Sequence, residues 1–239
     1  MKTKTYLIVS VALLTGMSVW AQKPVRVSIY DDCSRNGKTE DIRPAQAVDL
    51  GLPSGLKWAS CNVGATTPEG YGDYFAWGET ETQYEYSWAT YKHAKGACKK
   101  LTKYCTDASY GDNGFTDDKT VLEQEDDAAH VYWGGSWRMP TDAEWTELRT
   151  QCTWTWTTQN GVDGYQVSSK TNSNSIFLPA AGFRRNTLPR FDGSDGLYWS
   201  SSLGEYRPDY ARYLLFDSGK VIRHDIDRYF GQSVRPVCP

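Results

Sequence analysis

Short apolar runs alternate with polar, glycine-rich segments along this chain, and the pattern predicts strands and turns in place of long helices. Residues 47–64 carry apolar positions on both sides of the turn sequence 53–55, which predicts a hairpin that opens the main domain. Residues 74–77 form an aromatic run that predicts a buried strand. Residues 79–120 are polar and rich in turn signals, and they predict loops wrapped around the core.

The chain after Cys152 predicts strands and turns to its end. Short apolar or alternating runs define the predicted strands 154–158, 165–168, 175–178, 198–202, 211–216, 221–223 and 233–237. Residues 217–219 predict the turn of a hairpin. Because no repeat and no internal boundary interrupts these elements, we expect one domain over residues 46–239.

Two helices are predicted before these strands. The clearer one begins at Thr141, whose hydroxyl is expected to accept the Glu144 amide while the Glu144 carboxylate reaches back to Thr141. Trp145 and Leu148 then give this helix one apolar face. A shorter helix is predicted over residues 125–132, where a following pair of glycines ends it.

Residues 1–21 have the pattern of a secretory signal peptide, with lysines, an apolar run and small residues before a cleavage point after Ala21. The apolar run spans roughly ten residues, about half of what a membrane-crossing helix needs, and no later run is long enough either. We therefore expect a secreted or periplasmic protein with no membrane span, held at the cell surface only if a partner binds it. Residues 22–45 are polar and are interpreted as an N-terminal extension.

Charge and aromatic content narrow the class of partner. Loss of the two leader lysines changes the formal net charge from −3 to −5. An acidic protein of this kind is not expected to bind nucleic acid or anionic membranes. The chain contains 10 Trp, 16 Tyr and 7 Phe, which supply enough apolar area for a proper core.

Six cysteines follow the leader, and an even number in an oxidising compartment permits three disulfides. They are Cys33, Cys61, Cys98, Cys105, Cys152 and Cys238. The sequence leaves their pairing open, but Cys98 and Cys105 are close enough to make a small local disulfide loop a candidate. Neither this pair nor His93 has the spacing of a zinc site, so no metal and no cofactor is expected.

Five separated motifs occur in a recognisable order, at residues 49–59, 72–79, 137–141, 198–202 and 233–237. They read DLGLPSGLKWA, GDYFAWGE, WRMPT, YWSSS and SVRPV. Through these motifs the chain resembles the Fibrobacter succinogenes major paralogous domain family, whose members are exported by Bacteroidetes and related bacteria. The resemblance implies no particular ligand, because the activity of that family is largely undefined.

Residues 137–145 are also similar to the helix entry of the formylglycine-generating, sulfatase-modifying enzymes. Both families are associated with a C-type-lectin-like fold. The resemblance therefore implies an α+β fold with two helices flanking small twisted antiparallel sheets, long loops, and N- and C-terminal strands that meet. The copper-binding cysteine pair of those enzymes lies late in their chains, whereas only Cys238 follows Cys152 here. We predict no catalytic residues, and an enzyme of this type is the alternative.

Calcium-dependent sugar binding in the manner of C-type lectins is not predicted. The nearest approach to their calcium loop is residues 207–209, where Arg207 replaces a ligand with a cation. A group of four acids admits two interpretations, a calcium site or the solvated start of a helix, and we favour the second. Its members are Glu123, Glu125, Asp126 and Asp127.

Two loops carry the candidate ligand-binding residues, because arginine and aromatic side chains are enriched at binding hot spots. The residues are Tyr206, Arg207 and Tyr210 in one loop and Arg185, Arg190 and Phe191 in the other. In a lectin-like fold these loops share one face, and the plainer alternative is a pair of solvated loops. We predict a non-catalytic module that binds a protein or a glycan, with a structural subunit of a surface assembly as a further alternative. Alanine at Tyr206 and Arg207 is expected to abolish binding and to leave the melting temperature nearly unchanged.

Five tryptophans and the three histidines are predicted to have structural roles and no part in a functional site. The tryptophans of the family-like motifs are predicted to be core residues, and they are Trp58, Trp77, Trp137, Trp145 and Trp199. The three histidines are scattered in sequence and lack an accompanying nucleophile motif, so we interpret them as surface or capping residues. They are His93, His130 and His224.

Overall fold

The structure, a computed structural model, describes residues 45–239 and has an α+β architecture of small antiparallel sheets with two α-helices. The predicted leader, and residues 22–44 of the predicted extension, lie outside the described residues. None of the helices within residues 45–239 has the length and apolar character that a membrane crossing requires.

Eleven strands occur in this part of the chain. They are β1 (Ala47–Asp49), β2 (Lys57–Ala59), β3 (Cys152–Gln159), β4 (Val162–Ser169), β5 (Ser175–Pro179), β6 (Phe183–Arg185), β7 (Leu188–Arg190), β8 (Gly196–Leu203), β9 (Tyr210–Asp217), β10 (Lys220–Asp227) and β11 (Val237–Cys238). They form three three-stranded sheets, ordered β1-β2-β11, β3-β4-β5 and β10-β9-β8, and the hairpin β6-β7. Six of the seven strands predicted after Cys152 are confirmed, and they fall within β3, β4, β5, β8, β9 and β10.

The sheet β1-β2-β11 joins the two ends of the described chain. The predicted opening hairpin is confirmed as β1 and β2, and β11 pairs with the other edge of β2. Val48 and Val237 thereby flank the fully buried Trp58 from both sides. Strand β11 is shorter than the predicted strand 233–237, because Pro236 has no amide hydrogen to donate to a ladder.

Helix α2 (Asp142–Gln151) begins at the predicted capping box. The Thr141 amide donates to Glu144 Oε2 at 2.8 Å and the Glu144 amide donates to Thr141 Oγ1 at 3.3 Å. Its apolar face buries Trp145 and Leu148 as expected. Helix α1 (Ala128–Trp133) is shorter than predicted, because the preceding acidic residues form a separate 3-10 turn and the chain enters α1 only after the cap at Asp127.

Aromatic side chains fill the core around α2. The Trp145 ring lies 4.6 Å from that of Trp58, and its indole nitrogen donates to the Trp199 carbonyl at 3.1 Å. Trp77 is also fully buried and donates to the Ser200 carbonyl at 2.9 Å. The core interpretation is thus confirmed for four tryptophans. Trp137 is only half-buried and packs against the edge of the core.

A buried arginine connects three separate segments. Arg235 is fully buried, and its guanidinium donates to Asn62 Oδ1 at 2.8 Å, to the Ala59 carbonyl at 2.9 Å and to the Phe177 carbonyl at 2.8 Å. These acceptors belong to β2, the following loop and β5. The last family-like motif therefore contributes a polar crosslink where the sequence predicted only a strand.

Two other segments depart from their predictions. Residues 74–77 are buried but form no strand, since Phe75 makes only a single bridge, to Gln232. The predicted loop that carries Arg185, Arg190 and Phe191 is instead largely the hairpin β6-β7 and its turns. Residues 79–120 form turns and single bridges as expected.

The candidate disulfide between Cys98 and Cys105 does not form, because both residues are free thiols. Cys105 is buried and its Sγ donates to the Asp107 carbonyl at 3.2 Å, while Cys98 lies partly exposed in a turn. Cys152 is also a free thiol, so three disulfides do not form. Cys238 is disulfide-bonded, which fixes the strand that closes the terminal sheet.

Candidate functional site

The two predicted ligand loops pack against one segment of chain, residues 227–231. Tyr210, at the start of β9, pairs with Asp227 at the end of β10. Arg184 of β6 makes a backbone bridge to Gly231 four residues later. Because both neighbours belong to one short segment, the 204–209 loop and the hairpin β6-β7 are brought to the same side of the protein.

Arg207 is held rigidly in its loop. Its Nε and one terminal nitrogen donate to the two oxygens of Asp209 at 3.0 and 2.5 Å, and Asp209 is fully buried. The guanidinium also lies over the Tyr210 ring, 4.3 Å from its centroid, and over Tyr110 at 5.7 Å. A bidentate pair and an aromatic contact fix both position and orientation. Arg207 is therefore presented to solvent in a preorganised geometry.

This pairing changes the expected behaviour of an Arg207→Ala variant. Loss of the guanidinium leaves the buried Asp209 carboxylate without its partner, so we expect the free energy of unfolding to fall by about 1–2 kcal/mol, discounted because Arg207 is partly exposed. Chemical denaturation measures this loss. An unchanged unfolding midpoint would show that Asp209 does not depend on Arg207. The expectation of a nearly unchanged melting temperature is retained only for Tyr206, which is 83% exposed.

Arg185 lies on the other side of the same segment. Its guanidinium is 5.5 Å from the Phe230 ring centroid. Burial raises the pKa of the neighbouring Tyr229, and the charge of Arg185 acts against that rise. The Tyr229 ring lies 5.2 Å from that of Trp88, and Tyr210 is among its electrostatic neighbours. Tyr229 thus lies between the two arginine-bearing loops. We call the surface formed by Trp88, Arg185, Arg207, Tyr210, Asp227 and Tyr229 the arginine–aromatic face.

Asp227 is the acidic member of the arginine–aromatic face. Burial and the nearby Asp209 raise the pKa of its carboxyl, while Arg207 and Arg185 both act to lower it. The influence of both arginines on one carboxylate shows that the two loops converge. The face therefore combines two cations, one acid and aromatic rings within a short distance.

The remaining predicted residues lie at the edges of this surface. Tyr206 projects from its loop, and Arg190 is exposed on β7. Phe191 is exposed and contacts the face only indirectly, because its ring lies 5.9 Å from Phe183, which in turn packs 5.4 Å from Phe230. Of the residues predicted from the sequence, Arg185, Arg207 and Tyr210 lie on this one surface. Sequence reasoning missed three residues of the face, and they are Trp88, Asp227 and Tyr229.

The acidic group at residues 123–126 surrounds a lysine. Lys103 Nζ lies 2.7 Å from Glu123, 2.8 Å from Glu125 and 2.6 Å from Asp126. Its ammonium occupies the position between the three carboxylates that a metal ion would take. Asp127, the fourth acid, is the N-cap of α1 and accepts the His130 amide at 3.0 Å.

Asp126 is the buried centre of this ion cluster. It accepts hydrogen bonds from Lys103 and from Lys92 Nζ at 2.8 Å, and His93 Nε2 lies 3.5 Å away. Burial alone would raise the pKa of Asp126, but the hydrogen bonds from His93, Lys103 and Lys92 outweigh it and hold the pKa well below its usual range. The surface interpretation of His93 is wrong, since its ring is buried against Asp126 and the Gly78 carbonyl, where it fills a gap in the loop region.

The serines after Trp199 have structural partners. Ser200 Oγ donates to the Arg212 carbonyl at 2.9 Å, and Ser202 Oγ accepts the Asp142 amide at 3.1 Å. These bonds fit the interpretation of this run as an ordinary strand.

No family model, no curated protein and no solved structure matches the chain. The arginine–aromatic face combines the fixed, partly exposed guanidinium of Arg207 with the partly exposed rings of Trp88 and Tyr210.

Proposed function

We propose that this chain is an exported, non-catalytic binding module of the Fibrobacter succinogenes major paralogous domain family with a C-type-lectin-like fold. Its ligand is a protein or a glycan, taken on the arginine–aromatic face. The fold assignment is supported by two helices beside small antiparallel sheets and by the terminal strands that meet in β1-β2-β11. The motifs that carry the resemblance contribute core residues such as Trp58 and Trp199.

The observation that carries the binding role is the preorganisation of Arg207. An arginine already held by Asp209 and Tyr210 loses little side-chain freedom when it contacts a partner. Arginine, tyrosine and tryptophan are also the residue types that dominate binding energy at interfaces. Arg185 and Trp88 extend the same surface across Tyr229.

A catalytic role of the formylglycine-generating type is the alternative. That chemistry uses a late pair of cysteines that hold a soft metal as thiolates. Cys238 is the one cysteine after Cys152 in this sequence, and it is disulfide-bonded. The cysteine arrangement therefore supports binding over oxidation chemistry.

The binding role is tested with the mature chain, residues 22–239, and its double variant Arg185→Ala, Tyr206→Ala. Both proteins are applied to an array of glycans and to a panel of bacterial and host surface proteins, with calcium and with chelator. The double variant should bind the partner of the parent chain roughly ten-fold more weakly, because it loses two hot-spot side chains. Both side chains are exposed, so its melting temperature should be unchanged.

Lys220→Ala is the matched control, since Lys220 is an exposed residue at the opposite end of β10 from Asp227. It should bind like the parent chain. Equal affinity of the parent chain and the double variant would remove the arginine–aromatic face from the site. Stable oligomers on sizing, without any ligand, would favour the structural-subunit alternative.

A further inference from the structure

The hairpin β6-β7 also borders a cleft that is separate from the arginine–aromatic face. Arg184 lines this cleft, whereas Arg185 contacts Tyr229 and Phe230. Successive residues of a strand point to opposite sides, so the hairpin separates the two surfaces. The cleft has a volume of about 350 Å³, which is at the lower end of the range for small-molecule sites. Its remaining wall comes from residues 73–74, 82–84, 86 and 186–187.

The floor of the cleft is rigid. Tyr86 donates its hydroxyl to the Tyr74 carbonyl at 2.6 Å, and Tyr74 donates its own to the Ala181 carbonyl at 2.6 Å. The Arg184 guanidinium lies 3.8 Å from the Tyr74 ring centroid and donates to both oxygens of Asp192 at 2.8 and 3.1 Å. A ligand therefore meets a surface that is already ordered, which reduces the entropy lost on binding.

Several polar side chains at the cleft have no hydrogen bond to any other residue in the described range 45–239. They are Asp73, Thr82, Asn186 and Thr187. Together they offer a carboxylate, two hydroxyls and an amide, a set that both donates and accepts. Convergent polar groups of this kind, placed around an aromatic surface, are typical of sites that fix the orientation of a small ligand.

Tyr84 gives the cleft an aromatic rim. Its side chain is 90% exposed, more than any other large hydrophobic residue in the described part of the chain. A tyrosine ring offers a large apolar surface at low cost in side-chain entropy. An aromatic platform beside unpaired donors and acceptors matches a ligand with an apolar face and a polar edge. A pyranose ring has this character, with C–H groups on its face and hydroxyls at its edge.

The charge of the cleft selects against acidic ligands. The Arg184 cation is neutralised by Asp192, and Asp73 leaves one unpaired carboxylate. We infer that this cleft is a binding site for a neutral saccharide, with Tyr84 against the face of a sugar ring and Asp73 and Asn186 on its hydroxyls. Recognition is direct and needs no metal ion. The site is additional to the arginine–aromatic face and does not depend on a ligand binding there.

The test uses the mature chain on an array of neutral, sialylated and sulfated oligosaccharides, followed by titration of the neutral compounds that bind. Tyr84→Ala should weaken neutral-saccharide binding roughly ten-fold or more, the loss expected for a central aromatic contact. Tyr84→Phe keeps the ring and should retain most of the affinity. Asp73→Asn should weaken binding as well, because the amide replaces one of the two acceptor oxygens of the carboxylate with an NH₂ donor and removes the charge. Circular dichroism and melting temperature confirm folding of each variant.

Lys220→Ala is the control for this site, since Lys220 is exposed and does not line the cleft. It should leave neutral-saccharide binding unchanged. Loss of binding in Arg185→Ala with retention in Tyr84→Ala would overturn the assignment of the cleft. Three further results would also overturn it: no neutral compound bound on the array, a preference for sialylated or sulfated compounds, or binding that disappears on chelation.

Discussion

Replacement of Arg235 by alanine should lower the free energy of unfolding by about 3–5 kcal/mol, because three buried acceptors lose their donor at once. Each buried oxygen left without a partner costs roughly 1–3 kcal/mol, and relief from burying the guanidinium offsets part of the sum. The acceptors are Asn62 and the carbonyls of Ala59 and Phe177, so contact between β2 and β5 is weakened. Thermal unfolding followed by circular dichroism should show a melting temperature lower by roughly 10 °C.

Two further variants sharpen this measurement. Arg235→Lys keeps the positive charge but cannot reach three acceptors from one ammonium, so it should lose most of the same stability. Arg190→Ala removes an exposed arginine and should leave the melting temperature unchanged. A stable Arg235→Ala variant would mean that the cost of burying this cation equals the worth of its hydrogen bonds.

Replacement of Lys103 by methionine should lower the free energy of unfolding by about 2–3 kcal/mol at pH 7. The substitution removes the cation that contacts three carboxylates, and it leaves the buried Asp126 with Lys92, His93 and the Tyr104 hydroxyl as its partners. Methionine retains the apolar stem of the lysine, so the loss reports on charge more than on packing. Chemical denaturation of both proteins gives the difference.

The dependence of this difference on pH identifies its origin. Hydrogen bonds from His93, Lys103 and Lys92 outweigh burial and lower the pKa of Asp126, so the stability it contributes is present above about pH 4 and is lost as the pH falls through the folded-state value. Burial acts to lower the pKa of Lys103, but the hydrogen bonds to Asp126, Glu123 and Glu125 outweigh burial and hold this pKa above its usual value. The contribution of Lys103 therefore persists to about pH 10 and is lost only above it. The difference should be constant over about pH 5–9 and shrink toward pH 2.

Lys119→Met is the control for the ion cluster. Lys119 contacts Glu123 alone, at 2.6 Å, and both side chains are about 40% exposed. The variant should lose at most a few tenths of a kcal/mol at any pH, as exposed ion pairs do. Equal losses in the two lysine variants would place the stability of this region in its loops and not in the cluster.

Short sequence motifs predicted those elements whose structure depends on residues close to them in the chain. The capping box at Thr141 and the hairpin turn at 53–55 are short-range devices, and both occur as expected. Residues 74–77 look like a strand because they are apolar, yet they are buried by contacts with residues 228–232, far along the chain. The β6-β7 hairpin escaped prediction because its six strand residues include three arginines and a proline, which lack the composition of a strand.

The sequence predicted the arginines and one tyrosine of the candidate site, but it did not predict the other residues that complete the surface. Tyr and Arg in turn-rich loops make a candidate binding surface from sequence alone, and Arg185, Arg207 and Tyr210 do lie on one surface. Trp88 and Tyr229 join that surface from segments separated by about 140 residues, a distance that no local pattern spans. The sequence also does not show whether an arginine is paired with an acid. Arg207 and Asp209 are two residues apart, but only the fold reveals that Asp209 is buried beneath Arg207.

The meeting of the two ends of the described chain in β1-β2-β11 has a kinetic consequence. Strand β2 lies near residue 58 and its partner β11 near residue 237, so this pairing closes a loop of almost the whole domain. Non-local strand pairing forms slowly, because the chain must first give up the entropy of closing the loop. A ribosome releases residue 58 long before residue 237, and Trp58 stays without one neighbour in the interval. The domain therefore completes its folding only after residues 233–238 have emerged, and the chain passes through its whole synthesis with this sheet unfinished.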